Sequence, residues 1–444
     1  MKEMKVDVHH LARVEGHGNI VIDVEEGVLK RCELQIVEAP RFFEAMLRGR
    51  SYQEAAHITC RICGICSVGH TNASLRATED AFGFIPSRQT MLLRRAIMHG
   101  EVIQSHILHV YFLAAPDFFG APSVIPLVGS HPEVVQRALR LKKLANDVCA
   151  VIGGRHIHPL SLVPGGFTSF PSEKQIRNLR DRFIEARKDM EATVELFSTI
   201  SMPSFERRTE YLALRREGEY TFLGGEGDAI VSSYGEAYAT RDYKEKVREY
   251  PVPHSTAKHV HGGLDAYMVG ALARYEINHD YLHPAAQAAA EALGLRPGMF
   301  NTFNNNLAQI VECVHCVEDF IGICDELLDR GIVPEPIEIR PRAGRGVGVV
   351  EVPRGILFHE YTYDDDGRIV RANCVIPTGQ NLHHMERDME AYVPKALALN
   401  DEAEATKHFE MLIRAYDPCI SCSTHLLQVS FRDRNGVRSY GAPQ

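Results

Sequence analysis

The 444-residue sequence contains no run of 18 or more apolar residues, so no transmembrane helix is predicted. It also has no excess of basic residues. Its formal net charge is −9, which argues against a nucleic-acid binder, because such a protein needs a basic face. The GxGxxG and P-loop patterns are missing too, so nucleotide chemistry is expected on another chain. Residues 1–10 lack the apolar segment of a signal peptide, which favours the cytoplasm, although a protein exported together with a partner would look the same.

Cysteine is well represented, with eleven residues, four of which form two CxxC pairs near opposite ends of the chain. In a large chain without a signal peptide the thiols stay reduced, so metal binding explains clustered cysteines better than disulfides do. Cys63 and Cys66 are followed by His70, and Cys419 and Cys422 are followed by His425. We expect the four thiolates to converge on one soft-metal centre.

Four cysteines alone most often indicate structural zinc or an iron–sulfur cluster. Zinc ribbons and fingers, however, keep their two pairs close in sequence, and here most of the chain separates them. Each pair also has charged neighbours that structural zinc does not require: Arg61 stands before the first pair, and Asp417 before the second. Pro418 presets the turn into Cys419. The pattern therefore favours a more elaborate metal centre.

Hydrophobic periodicity predicts a mainly α protein with β excursions, an α+β class, in which a helical core lies between small sheets near both ends. Short alternating runs predict a β segment over 5–38, and a second one over 347–375. The helical core spans 42–330. The main predicted helices are 92–112, 132–152, 173–197, 264–293, 302–330, 385–398 and 402–415.

The motifs RxCGxCxxxH, from Arg61, and DPCxxCxxH, from Asp417, resemble the two signatures of the large subunit of nickel–iron hydrogenases. The resemblance extends over essentially the whole chain. It implies that all four motif cysteines bind nickel and that Cys66 and Cys422 also bridge to iron. The iron of this family carries carbon monoxide and cyanide ligands. His70 would form a hydrogen bond to a bridging sulfur and tune its electron density.

The segment Arg13-Val-Glu15-Gly-His17 resembles the RxEGH element of the same family. The resemblance implies that Glu15 lies next to a nickel thiolate and relays protons, which suits a carboxylate. The alternative from the residues alone is that Glu15 caps the segment or pairs with Arg13 on a strand.

The resemblance also implies a magnesium site. Glu44 has the spacing of a carboxylate ligand, His425 would bind through its imidazole, and the third ligand would be a backbone carbonyl near Cys374. Magnesium prefers oxygen ligands and keeps several waters. The alternative is that Glu44 is an ordinary surface glutamate on a helix.

Glu351-Val-Pro-Arg354-Gly355 resembles the element whose arginine overhangs the metal pair. Arg354 would serve there as a donor that cannot lose its proton. The resemblance places Ser105 where periplasmic members of the family have an aspartate facing this arginine. Asp417 is therefore expected to be the main acid of the canopy.

Residues 376–381, with the sequence Ile-Pro-Thr-Gly-Gln-Asn, resemble the segment that bonds to an iron cyanide. Pro377 and Thr378 would bind this ligand, Thr378 through its hydroxyl. Gln380 and Asn381 replace the tryptophan–asparagine pair of periplasmic uptake enzymes and point to the cytoplasmic, cofactor-linked branch.

The other cysteines are interpreted as buried thiols that fill space, including a third CxxC inside a predicted helix. They are Cys32, Cys60, Cys149, Cys313, Cys316, Cys324 and Cys374. Two histidine pairs, His383-His384 and His156-x-His158, are interpreted as hydrogen-bonding residues rather than ligands.

The chain is predicted to be one domain over 1–425, with its C-terminal helices and ligand motif at 383–425. The resemblance implies that a maturation protease removes 426–444 after His425 once nickel is in place. The alternative is that this tail is retained as a terminal strand.

The implied activity is reversible heterolytic cleavage of H2 to protons and electrons. Because the chain lacks further cysteine sets, the electrons would leave through an iron–sulfur small subunit. A further subunit linked to flavin, NAD(P), deazaflavin or ferredoxin would accept them. The alternatives are a hydrogen sensor with slow turnover, a quinone-binding relative from complex I, which has lost its metals, and a zinc-stabilised scaffold. Retention of all four cysteines argues against the complex I relative.

Overall fold

The computed structural model describes residues 3–225, 227–262 and 265–424, and the backbone of 429–433 and 436–440. A π-helical segment, Leu108–Ala114, continues the fourth helix without a break. The α-helices of the described residues are α1 Phe43–Leu47, α2 Tyr52–Thr59, α3 Ser67–Phe82, α4 Arg88–Ile107, α5 Ala115–Phe118, α6 Val124–Ser130, α7 Pro132–Gly153, α8 Glu173–Ser198, α9 Ala271–Asn278, α10 Pro284–Ala292, α11 Asn305–Arg330, α12 Pro377–Leu399, α13 Glu402–Ala415 and α14 Ile420–Ser423.

The strands form several small sheets rather than one large sheet. The strands of the described residues are β1 Met4–Val8, β2 Gly18–Glu25, β3 Val28–Ile36, β4 Leu162–Val163, β5 Gly166–Phe167, β6 Glu210–Arg215, β7 Ala229–Ser232, β8 Ala237–Ala239, β9 Arg248–Tyr250, β10 His259–His261, β11 Tyr267–Met268, β12 Gly344–Val352, β13 Gly355–Tyr363, β14 Ile369–Val375, β15 Val429–Asp433 and β16 Gly436–Tyr440. Antiparallel three-stranded sheets have the orders β1-β2-β3 and β12-β13-β14, and a four-stranded sheet has the order β11-β6-β7-β8; the remaining strands form hairpins. The predicted helix-rich class with small sheets near both ends is confirmed.

The long helices α4, α7, α8 and α11 pack together and bury their apolar faces in the main core. Helix α4 also fixes the start of α3 through one buried carboxylate. The backbone N–H groups of Val68 and Gly69 donate to Glu101 at 2.6 and 2.9 Å. These groups are among the first N–H groups of α3, which have no partner within their own helix. Burial raises the pKa of Glu101 well above its usual value.

Helix α3 lies directly on β12 because glycines on one face of the strand leave room for the helix backbone. Gly344, Gly346 and Gly348 alternate along β12. A Cβ at Gly346 would lie 2.0 Å from Ala77 O, and one at Gly348 would lie 1.9 Å from Ala73 O. This close contact sets the distance between the start of α3 and the end of β12, which both reach the candidate site.

Gly348→Ala is expected to destabilise the protein by more than about 2 kcal/mol, because the new methyl group must push helix and strand apart. Thermal or urea unfolding of the purified protein measures this effect. The matched control is Gly322→Ala in α11, where a Cβ meets no atom within 4 Å. That variant is expected to be neutral or stabilised by up to about 1 kcal/mol, since alanine favours a helix. Equal stability of the two variants would contradict this account.

Several predicted helices are found with nearly the predicted bounds, including α7, α8 and α13. The single helix predicted over 264–293 is wrong: α9 ends at Asn278, and α10 begins at Pro284. Proline at the first position of α10 explains the break. Helix α12 begins at Pro377, well before the predicted 385. Its first turns carry buried polar side chains, so they lack the apolar periodicity on which the prediction depended. No helix of the described residues has the length and apolar character needed to span a membrane.

Candidate metal centre

The two CxxC pairs converge, although 356 residues separate Cys63 from Cys419. Their Sγ atoms lie 3.6 Å apart. The sulfurs of Cys63, Cys66 and Cys422 lie within 4.8 Å of one another. All four cysteines are buried. The first pair lies where a short 3-10 turn enters α3, and the second lies at the start of α14.

Cys419 and Cys422 lie side by side, with their Cα atoms 5.5 Å apart. Both residues would bind a metal as thiolates. A buried set of four sulfurs is a donor set that suits soft or borderline metals such as nickel and iron. The residues present therefore fit the predicted centre.

The surroundings of Cys63 favour its ionisation over that of Cys66. A hydrogen bond between its thiol and that of Cys66 lowers the pKa of Cys63, even though burial opposes this shift, and the charge of Arg354 adds to it. The backbone N–H groups of Ile65 and Cys66 donate to Cys63 Sγ at 3.3 and 3.2 Å. The same pairing with Cys63, together with burial, raises the pKa of Cys66 well above its usual value.

Glu15 lies against the second cysteine pair. Its Oε2 is 3.1 Å from Cys419 Sγ and accepts from Ser421 N at 3.1 Å. Its carbonyl oxygen accepts from Ile420 N at 2.9 Å. Gly16, at φ +89°, allows this approach, because a Cβ there would lie 2.7 Å from Ile420 Cβ.

The alternative ion pair between Glu15 and Arg13 is not found. Arg13 instead forms an ion pair with Asp117 and donates to Leu113 O at 2.6 Å. Asp117 also pairs with Arg414, near the end of α13. Glu15 is therefore directed to the cysteines.

Arg354 occupies the two-residue turn between β12 and β13 and is buried. Its guanidinium donates to Asp417 Oδ1 at 2.8 Å and to Asp417 O at 2.6 Å. Ser105 Oγ lies 3.5 Å from its NH1 group, so the predicted serine does face the arginine. Asp417 adopts a left-handed backbone, at φ 53°, directly before the second cysteine pair. Its other carboxylate oxygen accepts from Gln309 at 3.2 Å.

Thr378 holds the second pair from the opposite side, because its hydroxyl oxygen accepts from Cys419 N at 3.0 Å. Pro377 is the first residue of α12, where the lack of an N–H has no cost. Gln380 and Asn381 anchor the same helix to the sheets. The side chain of Gln380 donates to Ile356 O at 2.7 Å, and that of Asn381 accepts from Val269 N at 2.9 Å.

His70 belongs to a chain of hydrogen bonds that sequence reasoning missed. Its Nδ1 lies 3.1 Å from His359 Nε2, and His359 Nδ1 lies 2.7 Å from the hydroxyl of Tyr361. The sequence does carry a signal for this contact. His359 and Tyr361 are two residues apart on β13, so their side chains lie on the same face of the strand.

The predicted magnesium ligands are brought together only in part. Glu44 is buried rather than exposed, and its Oε1 accepts from Cys374 N at 2.9 Å. Thr424 O accepts from Arg41 N at 2.6 Å, so the end of the second motif lies beside the segment that carries Glu44. His425 lies outside the described residues.

Arg41 is a further residue that the sequence analysis missed. Its guanidinium donates to Ile62 O at 2.7 Å and also to Ser421 O, so it joins the backbones of both cysteine segments. Neither a motif nor a periodicity marks it.

The remaining cysteines of the described residues lie apart from the four-sulfur cluster. Cys313 and Cys316 are fully buried in α11, and burial raises the pKa of both thiols well above the usual value. Cys60 directs its thiol to His57 O at 3.2 Å. These contacts agree with a space-filling role.

The fold and site together define a helix-rich protein with a buried centre of four cysteine sulfurs, an arginine and a carboxylate. The model of the nickel-dependent hydrogenase family matches residues 41–127 and 253–425. The alpha subunit of sulfhydrogenase 1 from Pyrococcus furiosus is 36% identical over 429 residues, which cover 96% of this chain and 99% of the relative. Subunit beta of the NAD-reducing hydrogenase HoxS from Cupriavidus necator is 29% identical over 476 residues and 95% of each chain.

Among solved structures, a crystal structure of an NAD+-reducing NiFe hydrogenase in the H2-reduced state is similar to this chain with a TM-score of 0.85. It is 29% identical, and the alignment covers 96% of this chain and 100% of the other. The chain therefore belongs to the nickel-dependent hydrogenase family.

Proposed function

We propose that Cys63, Cys66, Cys419 and Cys422 hold the nickel–iron centre at which this hydrogenase large subunit cleaves H2 reversibly into protons and electrons. The observation that carries the proposal is the convergence of four buried sulfurs from opposite ends of the chain. When bound, the centre supplies the heterolytic chemistry, and all four thiolates would bind nickel, with Cys66 and Cys422 bridging to iron. The iron would carry carbon monoxide and cyanide, with Pro377 and Thr378 beside the cyanide.

Glu15 is the proposed proton relay. Its carboxylate lies 3.1 Å from Cys419 Sγ, within reach of a proton on that sulfur. Because its Oε2 also accepts from Ser421 N, the carboxylate is held in place for transfer. His70 would donate to a bridging sulfur, and its contact with His359 orients the ring.

Arg354 is the proposed fixed cation beside the centre, with Asp417 as its anchor. Burial opposes the charge of Arg354, but the negative charge of Asp417 and the nearby sulfurs of Cys66 and Cys63 outweigh burial and raise the pKa of Arg354 above the usual value. The guanidinium therefore stays protonated throughout the reaction and stabilises negative charge without reorganisation.

Arg354→Lys is expected to lower H2 oxidation about 100-fold, because an ammonium group cannot reproduce both contacts with Asp417. Nickel and iron content should remain at the wild-type level, which separates this effect from loss of the centre. The control is Arg345→Lys, on strand β12, which precedes the Arg354 turn; this arginine is partly exposed and pairs with Glu360. A fully active Arg354→Lys enzyme would contradict the assigned role.

A magnesium site formed by Glu44, the carbonyl of Cys374 and His425 is also proposed. The burial of Glu44 beside Cys374 supports it, because two of the three proposed ligands then lie next to each other. We further propose that a maturation protease cleaves after His425 and removes 426–444.

A hydrogenase large subunit works with a small subunit. We propose that this partner carries the iron–sulfur clusters, because the other cysteines of the described residues are dispersed and offer no second cluster site. A further subunit linked to NAD(P), flavin, deazaflavin or ferredoxin would accept the electrons. The NAD-reducing relatives support this proposal and a cytoplasmic location.

The test is nickel and iron content combined with infrared spectroscopy of the purified complex. About one nickel per large subunit is expected, with iron in excess of nickel because the small subunit adds iron–sulfur clusters, together with infrared bands of metal-bound carbon monoxide and cyanide. H2-dependent dye reduction should accompany them. Zinc in place of nickel, without those bands, would indicate a zinc-stabilised scaffold and overturn the proposal.

A further inference from the structure

Two histidines and a glutamate form a second cluster of metal-ligating side chains, outside the cysteine site. His254 lies in the connection between β9 and β10, His259 is the first residue of β10, and Glu386 lies on α12. One nitrogen of each imidazole and one carboxylate oxygen lie within 4.8 Å of one another. Along α12, Glu386 is about 12 Å of helix rise beyond Thr378, so this cluster is separate from the cysteine centre.

The carboxylate is already oriented for a ligand. Leu34 N donates to Glu386 Oε1 at 3.0 Å, and His254 Nε2 lies 2.8 Å from the same oxygen. The other oxygen, Oε2, faces His259 Nδ1 at 3.7 Å. Around a tetrahedral zinc ion the ligand atoms lie roughly 3.3 Å apart, so small side-chain rotations would bring the three groups into place.

His259 is poorly explained as a purely structural histidine. It is only 1% exposed, and its distance of 3.7 Å from the carboxylate is too long for a hydrogen bond. Its Nε2 is buried and has no hydrogen-bond partner within the described part of the chain.

We propose that His254, His259 and Glu386 form a metal site for a divalent transition-metal ion of the zinc class, with its fourth position open to water. Nitrogen donors disfavour calcium and magnesium, which prefer oxygen. His254 is the most exposed member, with one-fifth of its side chain accessible, and it provides the route of entry. The ion would link the β9–β10 hairpin and β3 to α12. The first turn of α12 supports Cys419 through the hydroxyl of Thr378. This proposal does not depend on the nickel–iron assignment.

The test is a zinc titration of the purified large–small subunit complex against a colorimetric chelator. Wild type is expected to bind one zinc equivalent, and His254→Ala and Glu386→Gln are each expected to weaken its affinity by at least tenfold. The amide oxygen of the Glu386→Gln variant can still accept from Leu34 N, so that variant keeps the local fold. The control is His261→Ala, which removes an exposed ring stacked on Tyr250 and should bind zinc as wild type does. Unchanged binding in both ligand variants, or no equivalent bound at micromolar zinc, would overturn the proposal.

Cobalt(II) in place of zinc distinguishes this cluster from the cysteines. Nitrogen and oxygen ligands give only weak visible bands, whereas thiolates give intense charge-transfer bands in the near ultraviolet. In the difference spectrum between the cobalt-loaded and cobalt-free complex, we expect the weak bands alone, and their loss in His254→Ala. Zinc should also raise the melting temperature of wild type but not of His254→Ala, because a ligand that binds only the folded state stabilises it. Thiolate bands without the weak bands would place the ion at the cysteines and overturn the proposal.

Discussion

Cys419→Ser is expected to abolish nickel retention and hydrogenase activity together. Cys419 Sγ lies 3.6 Å from Cys63 Sγ and 3.1 Å from the carboxylate of Glu15. A serine hydroxyl is a hard donor that stays protonated at neutral pH, so it is a poor ligand for nickel. Loss of one ligand weakens the affinity of the whole site for nickel, because the ligands bind the ion together. Nickel content should therefore fall below about a tenth of the wild-type level, and H2 turnover should be undetectable. Elemental analysis and dye reduction on the same preparation measure both effects.

The control for this prediction is Cys32→Ser. Cys32 is a partly buried cysteine on β3, outside the four-sulfur cluster, with its thiol 3.8 Å from Glu386 O. This variant should retain nickel and activity, which separates ligand loss from a general effect of cysteine removal. An active, nickel-loaded Cys419→Ser enzyme would refute the ligand assignment, and loss of nickel in both variants would point to folding instead.

The convergence of the cysteines could be predicted because the metal-binding residues stand in short sequence motifs. A CxxC turn directs two sulfurs to one ion, and charged neighbours recur around each pair. The same holds for Glu15 and Arg354, whose segments carry their own signatures. In the structure Glu15 lies beside the sulfur of Cys419, and Arg354 lies beside Asp417.

Residues that join distant segments through the backbone could not be predicted in this way. Arg41 bonds to Ser421 O across 380 positions, and the contact depends on a carbonyl group, which leaves no mark in the sequence. Glu101 looks like any polar residue in a helix, yet it is buried and binds the first turn of α3. The start of α12 was missed for a related reason. Its polar side chains are satisfied by tertiary contacts, so burial there does not follow hydrophobicity.

Glu15→Gln is expected to lower H2 turnover about 1,000-fold while nickel and iron stay bound, because the amide cannot accept a proton. The amide oxygen can still accept from Ser421 N, so the variant keeps the contact that positions the side chain. H2-dependent dye reduction, metal analysis and the infrared bands of the iron ligands are measured on one preparation. Unchanged bands with lost turnover would localise the defect to proton transfer.

The matched control is Glu38→Gln, a second carboxylate that contacts the same segment. Glu38 Oε1 accepts from His17 N at 2.8 Å and from Ser421 Oγ at 3.2 Å, rather than lying against a sulfur. Loss of the Glu38 carboxylate should leave the rate of H2 turnover within a few-fold of the wild-type rate. A proton-relay role further requires that the Glu15→Asp variant be more active than Glu15→Gln. Aspartate is shorter, but its carboxylate can still accept a proton across the longer gap. If Glu15 served only in packing, glutamine would be the better replacement, because it has the size of glutamate. Normal turnover in Glu15→Gln, or an aspartate variant no better than glutamine, would remove Glu15 from the proton path.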